Sequence, residues 1–92
     1  MIDLYSIYKT PVEIAEIIAK NARSRRKSMK LSQKELAEKS GVSYASVRRF
    51  ESTGEISFVS LLAIAEVLEE KEEFEKLFTA RHYRTMEEFL NG

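Results

Sequence analysis

Two adjacent arginines, Arg48 and Arg49, follow a tyrosine, Tyr44, one helical turn earlier. A guanidinium is a planar, permanently charged fork of donors, and it matches paired acceptors such as O6 and N7 on a guanine edge. A tyrosine ring can stack on a sugar or touch a thymine methyl, and its hydroxyl can reach a phosphate. This is the chemistry of recognition, not of bond making. The chain has no cysteine and a single histidine, His82, without a second ligand beside it. Thiolate nucleophiles, zinc–thiolate sites and disulfides are excluded together. The serines read as helix caps, with no histidine base in a recognisable arrangement, and the glutamates of 66–75 read as a solvated helix face. No catalytic residue, metal ligand or cofactor is expected, and the chain is not expected to be an enzyme.

The 92 residues fit one domain, and 43% hydrophobic content permits a small core. A net charge of zero hides an asymmetry. Residues 20–49 hold ten Lys and Arg against two Glu, whereas residues 50–78 hold two Lys against eight Glu. Local fields govern polyanion binding, so the surplus of eight positive charges in the first segment bears on partners. The acidic end would repel DNA and is expected to point away from a duplex. The N-terminus lacks the basic start and long apolar run of a signal peptide, and no membrane span appears, so a cytoplasmic location is expected.

The elements that must carry these side chains are helices, since the chain has one proline and three glycines. Thr10, Pro11 and Glu13 form a start signal for a first helix, from Pro11 to about Met29. Its inward stripe is Val12, Ala15, Ile18, Ala19, Ala22, Arg26 and Met29, with Arg26 the odd member. Ser32 and Glu35 box the start of a second helix, with Leu36 and Ala37 inward, and Gly41 ends it at positive φ. Ser43 caps a third helix whose apolar pair is Val47 and Phe50. Residues 52–55 read as a loop. Ser57 caps a fourth helix with Phe58, Leu61, Leu62, Ala65 and Leu68 inward and Ile64 and Val67 widening the stripe. Residues 72–78 continue the fourth or restart as a fifth, and 85–88 open a short last one with Met86 and Phe89 inward and Leu90 as a further candidate. Residues 1–9 suit a short helix or a strand paired with another copy. The expected division is an N-terminal extension over 1–10, a DNA-binding domain over 11–70 and a helical tail over 71–92.

Two short helices joined by a glycine corner, the second rich in arginine, follow the plan of a helix-turn-helix. One helix fits the major groove and the helix behind it sets the angle. Small and apolar residues at Ala37, Gly41, Val42 and Val47 let the pair approach. Tyr44, Ala45, Arg48, Arg49 and Ser52 are left on the outward side.

The run "LSQKELAEKSGVS" followed by "RFE" resembles the DNA-binding domain of the phage-repressor (Cro-type, XRE) family, and the resemblance extends from Arg23 to about Leu68. It implies an all-α, five-helix lambda-repressor-like helix-turn-helix domain with short N- and C-terminal extensions, binding double-stranded DNA as a regulator of transcription. By the same resemblance Gln33 contacts a phosphate. Ser43, Tyr44, Ala45 and Ser46 approach bases and backbone, Arg49 reads a base one turn on, and Ser52 and Thr53 touch phosphate. Arg26 and Glu51 form the family's structural ion pair, which accounts for an arginine on an apolar stripe. Tyr44 and Ala45 stand where many members carry glutamine, so an operator sequence does not carry over.

A homodimer on a palindrome is expected, since one small module spans few base pairs. Ile64, Val67 and the chain ends are the candidate pairing surfaces. The tail residues Phe74, Leu77, Phe78, Tyr83, Arg84 and Thr85 are similar to those of regulators found with HipA-like kinases. That resemblance implies an alternative role as the antitoxin of a HipBA-type toxin–antitoxin pair.

Overall fold

Thr10 shows how the chain begins to order itself. Its hydroxyl accepts from the Glu13 N–H at 3.1 Å, and the Glu13 carboxylate reaches back to the Thr10 N–H, so two orphan donors of the first turn are satisfied reciprocally. In this computed structural model, which describes residues 9–80 and residue 90, five helices follow. They are α1 (Pro11–Ser28), α2 (Gln33–Ser40), α3 (Tyr44–Thr53), α4 (Phe58–Val67) and α5 (Lys71–Glu75). The described residues contain no strand. Ser32 repeats the capping box with Glu35, and Ser43 and Ser57 each accept from the N–H three residues on. The fold expected at residues 1–8 and 81–89, including Tyr83, Arg84 and Thr85, lies outside the described residues.

α3 packs on α1 and α2, α2 also meets α4, and α5 rests on α4. The core is Ala19, Leu36, Ala37, Val42, Val47, Phe50, Ile64 and Leu68, with Phe50, Leu36, Ile64 and Val47 its largest sealed side chains. α5 is joined to α4 by an edge-to-face pair, Phe58 with Phe74, at 6.5 Å between ring centroids.

Several expectations are corrected. On α1, Val12 and Ile18 are exposed, and burial begins in earnest at Ala19. α3 ends at Gly54 against the Ala15 peptide, so the first turn of α1 extends past the helix it packs on. On α4 Ala65 and Leu68 are buried and Leu61 packs on the core, as the stripe requires, but its first member does not turn inward. Ile64 is only 1% exposed and belongs to the core, whereas Phe58 is 58% exposed, so Ile64 offers nothing to a second copy. Residues 52 and 53 are not loop. They complete α3, because the Ser52 and Thr53 hydroxyls both donate to the Arg49 carbonyl, at 3.2 and 2.7 Å, and satisfy it in the last turn. α5 stops at Glu75, short of Phe78, which lies outside it at φ +66°.

The two corner glycines serve different ends. Gly41 has φ +78° and open space around a built Cβ, so it is needed for its backbone angle and not for close approach. Gly54 has φ +82° and a Cβ there would meet the Ala15 carbonyl carbon at 2.9 Å. This second glycine locks the end of α3 onto α1.

Candidate nucleic-acid interface

α3 is two-faced. Val47 and Phe50, three residues apart, are sealed in the core, while Tyr44, Ala45, Arg48, Arg49 and Ser52 are exposed on the other side. α1 and α2 hold the inner face, so the outer face is presented on a fixed frame.

Behind that face lies a buried ion pair. Arg26 donates to Glu51 through Nε at 2.7 Å and Nη2 at 2.9 Å, a two-point fork. Its Nη1 donates to the Leu31 carbonyl at 2.8 Å. The side chains are 8% and 4% exposed. Gln33, the first residue of α2, donates through Nε2 to Glu51 Oε1 at 3.0 Å. Burial pushes the Glu51 carboxyl up, but the hydrogen bonds from Arg26 and Gln33 and the charges of Arg26 and Arg23 outweigh it. The net result is a carboxyl held below the usual range. The bond to Glu51 raises the Arg26 guanidinium above its ordinary value despite desolvation.

Around this network an open hollow is lined by Arg23, Gln33, Ala45, Arg48, Arg49, Glu51 and Ser52. Three of the seven are arginines, which suits a polyanion. Tyr44 sits at the rim between two cations. Lys34 Nζ and the Arg48 guanidinium each lie 5.6 Å from its ring centroid, one from α2 and one from α3. Both contacts are cation–π in kind and orient the ring. Arg49 is paired with Glu55 of the α3–α4 connection, donating through Nε at 3.0 Å and through Nη2 to the same oxygen.

The structure thus brings Gln33, Ala45, Arg48, Arg49 and Ser52 to one surface, with Tyr44 at its edge. The hydroxyls fare differently. Ser43 is spent on capping: it accepts from the Ser46 N–H at 3.1 Å and donates to Ser46 Oγ at 2.8 Å. Thr53 donates to the Arg49 carbonyl and accepts from the Glu55 N–H at 3.1 Å, so its donor is committed within the last turn of α3. Of Arg25, Lys27, Lys30 and Lys34, read from the sequence as solvated charges of which about half face phosphate, Lys34 lies at this surface, whereas Arg23 and Glu55 were passed over as interface residues. Arg23 stands three residues before Arg26 on the same helix face, a spacing that was there to be used. Glu55 comes from the α3–α4 connection and gave no such signal. Arg25 takes no part. It donates to the Leu68 carbonyl at 3.0 Å and lies 3.5 Å from Glu69, closing the end of α4.

Among the described residues no helix is long and apolar enough to cross a membrane, and no group of three or more His, Cys, Asp and Glu is placed to hold a metal ion. Comparison with curated proteins and with solved structures gave no match. A helix-turn-helix family model matches residues 23–74, more than half of the chain, from the Arg23 turn of α1 into α5. The glycine corner at Gly41, the buried Val47 and Phe50 and the arginine-bearing outer face of α3 all fall within that match, and the chain belongs to the helix-turn-helix family of DNA-binding transcription regulators of the phage-repressor, XRE type.

Proposed function

We propose that the chain acts as a dimeric, sequence-specific repressor that lays α3 in the major groove of a palindromic operator, its own promoter included. The observation that carries this reading is the two-faced α3, with Arg48 and Arg49 outward and Val47 and Phe50 sealed. Arg49 is assigned to a base edge, Arg48 and Tyr44 to the groove wall, and Gln33 and Arg23 to phosphates flanking the helix. Ser43 and Ser46 would meet the backbone through the start of α3, and Ser52 and Thr53 through its end. The half-sites read by the two α3 helices on one face of a dimer would lie about one helical turn apart.

Exposed apolar side chains on α4 and beyond α5, namely Phe58, Val59, Leu77 and Phe78, support pairing through that end. The same exposed group supports the alternative reading, an antitoxin that binds a kinase-like toxin. Co-purification with the product of an adjacent gene favours the second role, while a homodimer alone favours the first. The test of DNA binding is a salt titration of affinity on the promoter duplex. Each phosphate contact contributes a slope of about −0.9 in log K against log salt. The reading expects a steep slope and tighter binding to the promoter than to scrambled duplex; equal, salt-insensitive binding would refute it.

A further inference from the structure

Glu55 is an exposed carboxylate placed against the one arginine assigned to a base edge. An acid at a polyanion interface calls for a reason. The pair itself gives little stability, since both side chains are largely exposed, Arg49 at 69% and Glu55 at 63%.

Its geometry is specific. Glu55 Oε2 takes the side edge of the guanidinium, Nε and Nη2. The end edge, Nη1 with the second Nη2 hydrogen, is left open, and this edge offers the two parallel donors that a fork onto guanine N7 and O6 requires. Glu55 is itself held in place. Its N–H donates to Thr53 Oγ1 at 3.1 Å, and Thr53 in turn donates to the Arg49 carbonyl at 2.7 Å. Gly54 between them is pressed on the Ala15 peptide. The backbone that carries the carboxylate is therefore tied to the helix that carries Arg49 and to the helix behind it.

We propose that Glu55 is a positioning residue that buttresses Arg49 for base reading and disfavours its use on phosphate. The proposal rests on the assignment of Arg49 to a base. Two effects follow from the geometry. The long side chain is ordered before DNA arrives, which removes the cost of immobilising it on binding. The negative charge beside it weakens attachment to any phosphate backbone, a repulsive contribution to specificity.

The test measures affinity for a selected duplex and for the same duplex with single base-pair changes, in the parent, Arg49→Ala, Glu55→Ala, Glu55→Gln and the Arg49→Ala/Glu55→Ala double variant. Arg49→Ala identifies the base pair at which discrimination depends on Arg49. Glu55→Ala is expected to lower discrimination at that pair about 2- to 10-fold, the worth of one pre-ordered side chain. It is also expected to tighten scrambled duplex and to steepen its salt slope by about 1. Glu55→Gln should fall between parent and Glu55→Ala, and the double variant should discriminate no worse than Arg49→Ala. Unchanged discrimination in Glu55→Ala overturns the buttress while leaving Arg49 as a base reader. A gain on the selected duplex equal to that on scrambled DNA also overturns it, since Glu55 would then merely mask Arg49. If Arg49→Ala itself changes no base preference, the assignment of Arg49 falls and the buttress falls with it.

Discussion

Gln33 and Arg26 donate to the same oxygen, Glu51 Oε1, at 3.0 and 2.9 Å. The ion pair that holds α1 to α3 is therefore also the anchor of an interface side chain at the start of α2. A change at Glu51 acts on fold and surface together, and the two can be separated.

Glu51→Ala leaves Arg26 buried without a counter-charge and should cost roughly 3–5 kcal/mol in urea unfolding. Replacing both partners by apolar residues, as in the Arg26→Met/Glu51→Leu variant, should restore much of that loss, because neither charge is then buried unpaired. Gln33 still loses its anchor, so DNA affinity in the restored protein should remain below the parent's. Parental affinity in the stable double variant would show that Gln33 needs no support from Glu51.

Acid should weaken the fold through the same carboxylate. In the folded chain Glu51 is held below the usual range, whereas the unfolded chain titrates at about 4.3. Its contribution is complete above the unfolded value and is lost as pH falls through the folded one. Glu35 is shifted the same way, first by the Ser32 N–H and then by the Ser32 hydroxyl, and adds to the trend. Thermal unfolding scanned from pH 6 to pH 3 should show Tm steady at first and falling below about pH 4.3. The fall should be shallower in the Arg26→Met/Glu51→Leu variant.

The corner glycines should respond unequally to alanine. Gly41→Ala pays the left-handed backbone cost alone, about 1–2 kcal/mol. Gly54→Ala pays that and also drives a methyl to within 2.9–3.0 Å of the Ala15 and Glu16 backbone. Backbone atoms cannot swing aside as a side-chain tip can, so a loss of roughly 3 kcal/mol or more is expected from the added overpacking. Equal losses in chemical denaturation would remove the claim that Gly54 locks α3 onto α1.

Tyr44 should matter more to DNA than to the fold. Its ring is exposed and held by Lys34 and Arg48. Tyr44→Ala should lower stability by less than about 1 kcal/mol, the worth of exposed cation–π contacts. It should weaken binding to the operator, measured by fluorescence anisotropy, by leaving two cations unoriented. Tyr44→Phe keeps the ring and tests the hydroxyl alone.

Much of the frame was legible in the residues. Thr10 with Glu13 and Ser32 with Glu35 announce helix starts because caps are local chemistry, and both boxes are present. The positive φ of Gly41 was legible for the same reason. The sealing of Ile64 and the exposure of Phe58 on α4 were not, because Leu61, Leu62, Ile64, Ala65, Val67 and Leu68 are apolar nearly all round. Which of them turns inward is decided by α2 and by the Phe58–Phe74 contact. The close approach at Gly54 depends on where α1 passes, some forty residues earlier in the chain, as does nothing local to it. The side chains gathered around Arg49 come from α1, α2 and the α3–α4 connection, so Arg23 and Glu55 became visible only once those elements were assembled.

The outward face of α3 as the base-reading surface is tested most directly by selecting duplexes from a random pool with the parent chain and with Arg49→Ala. The parent should return a two-fold symmetric site, and the variant should lose its preference at one base pair of each half-site while keeping the rest. Identical selected sites from the two proteins, or no enriched site from the parent, would contradict the account.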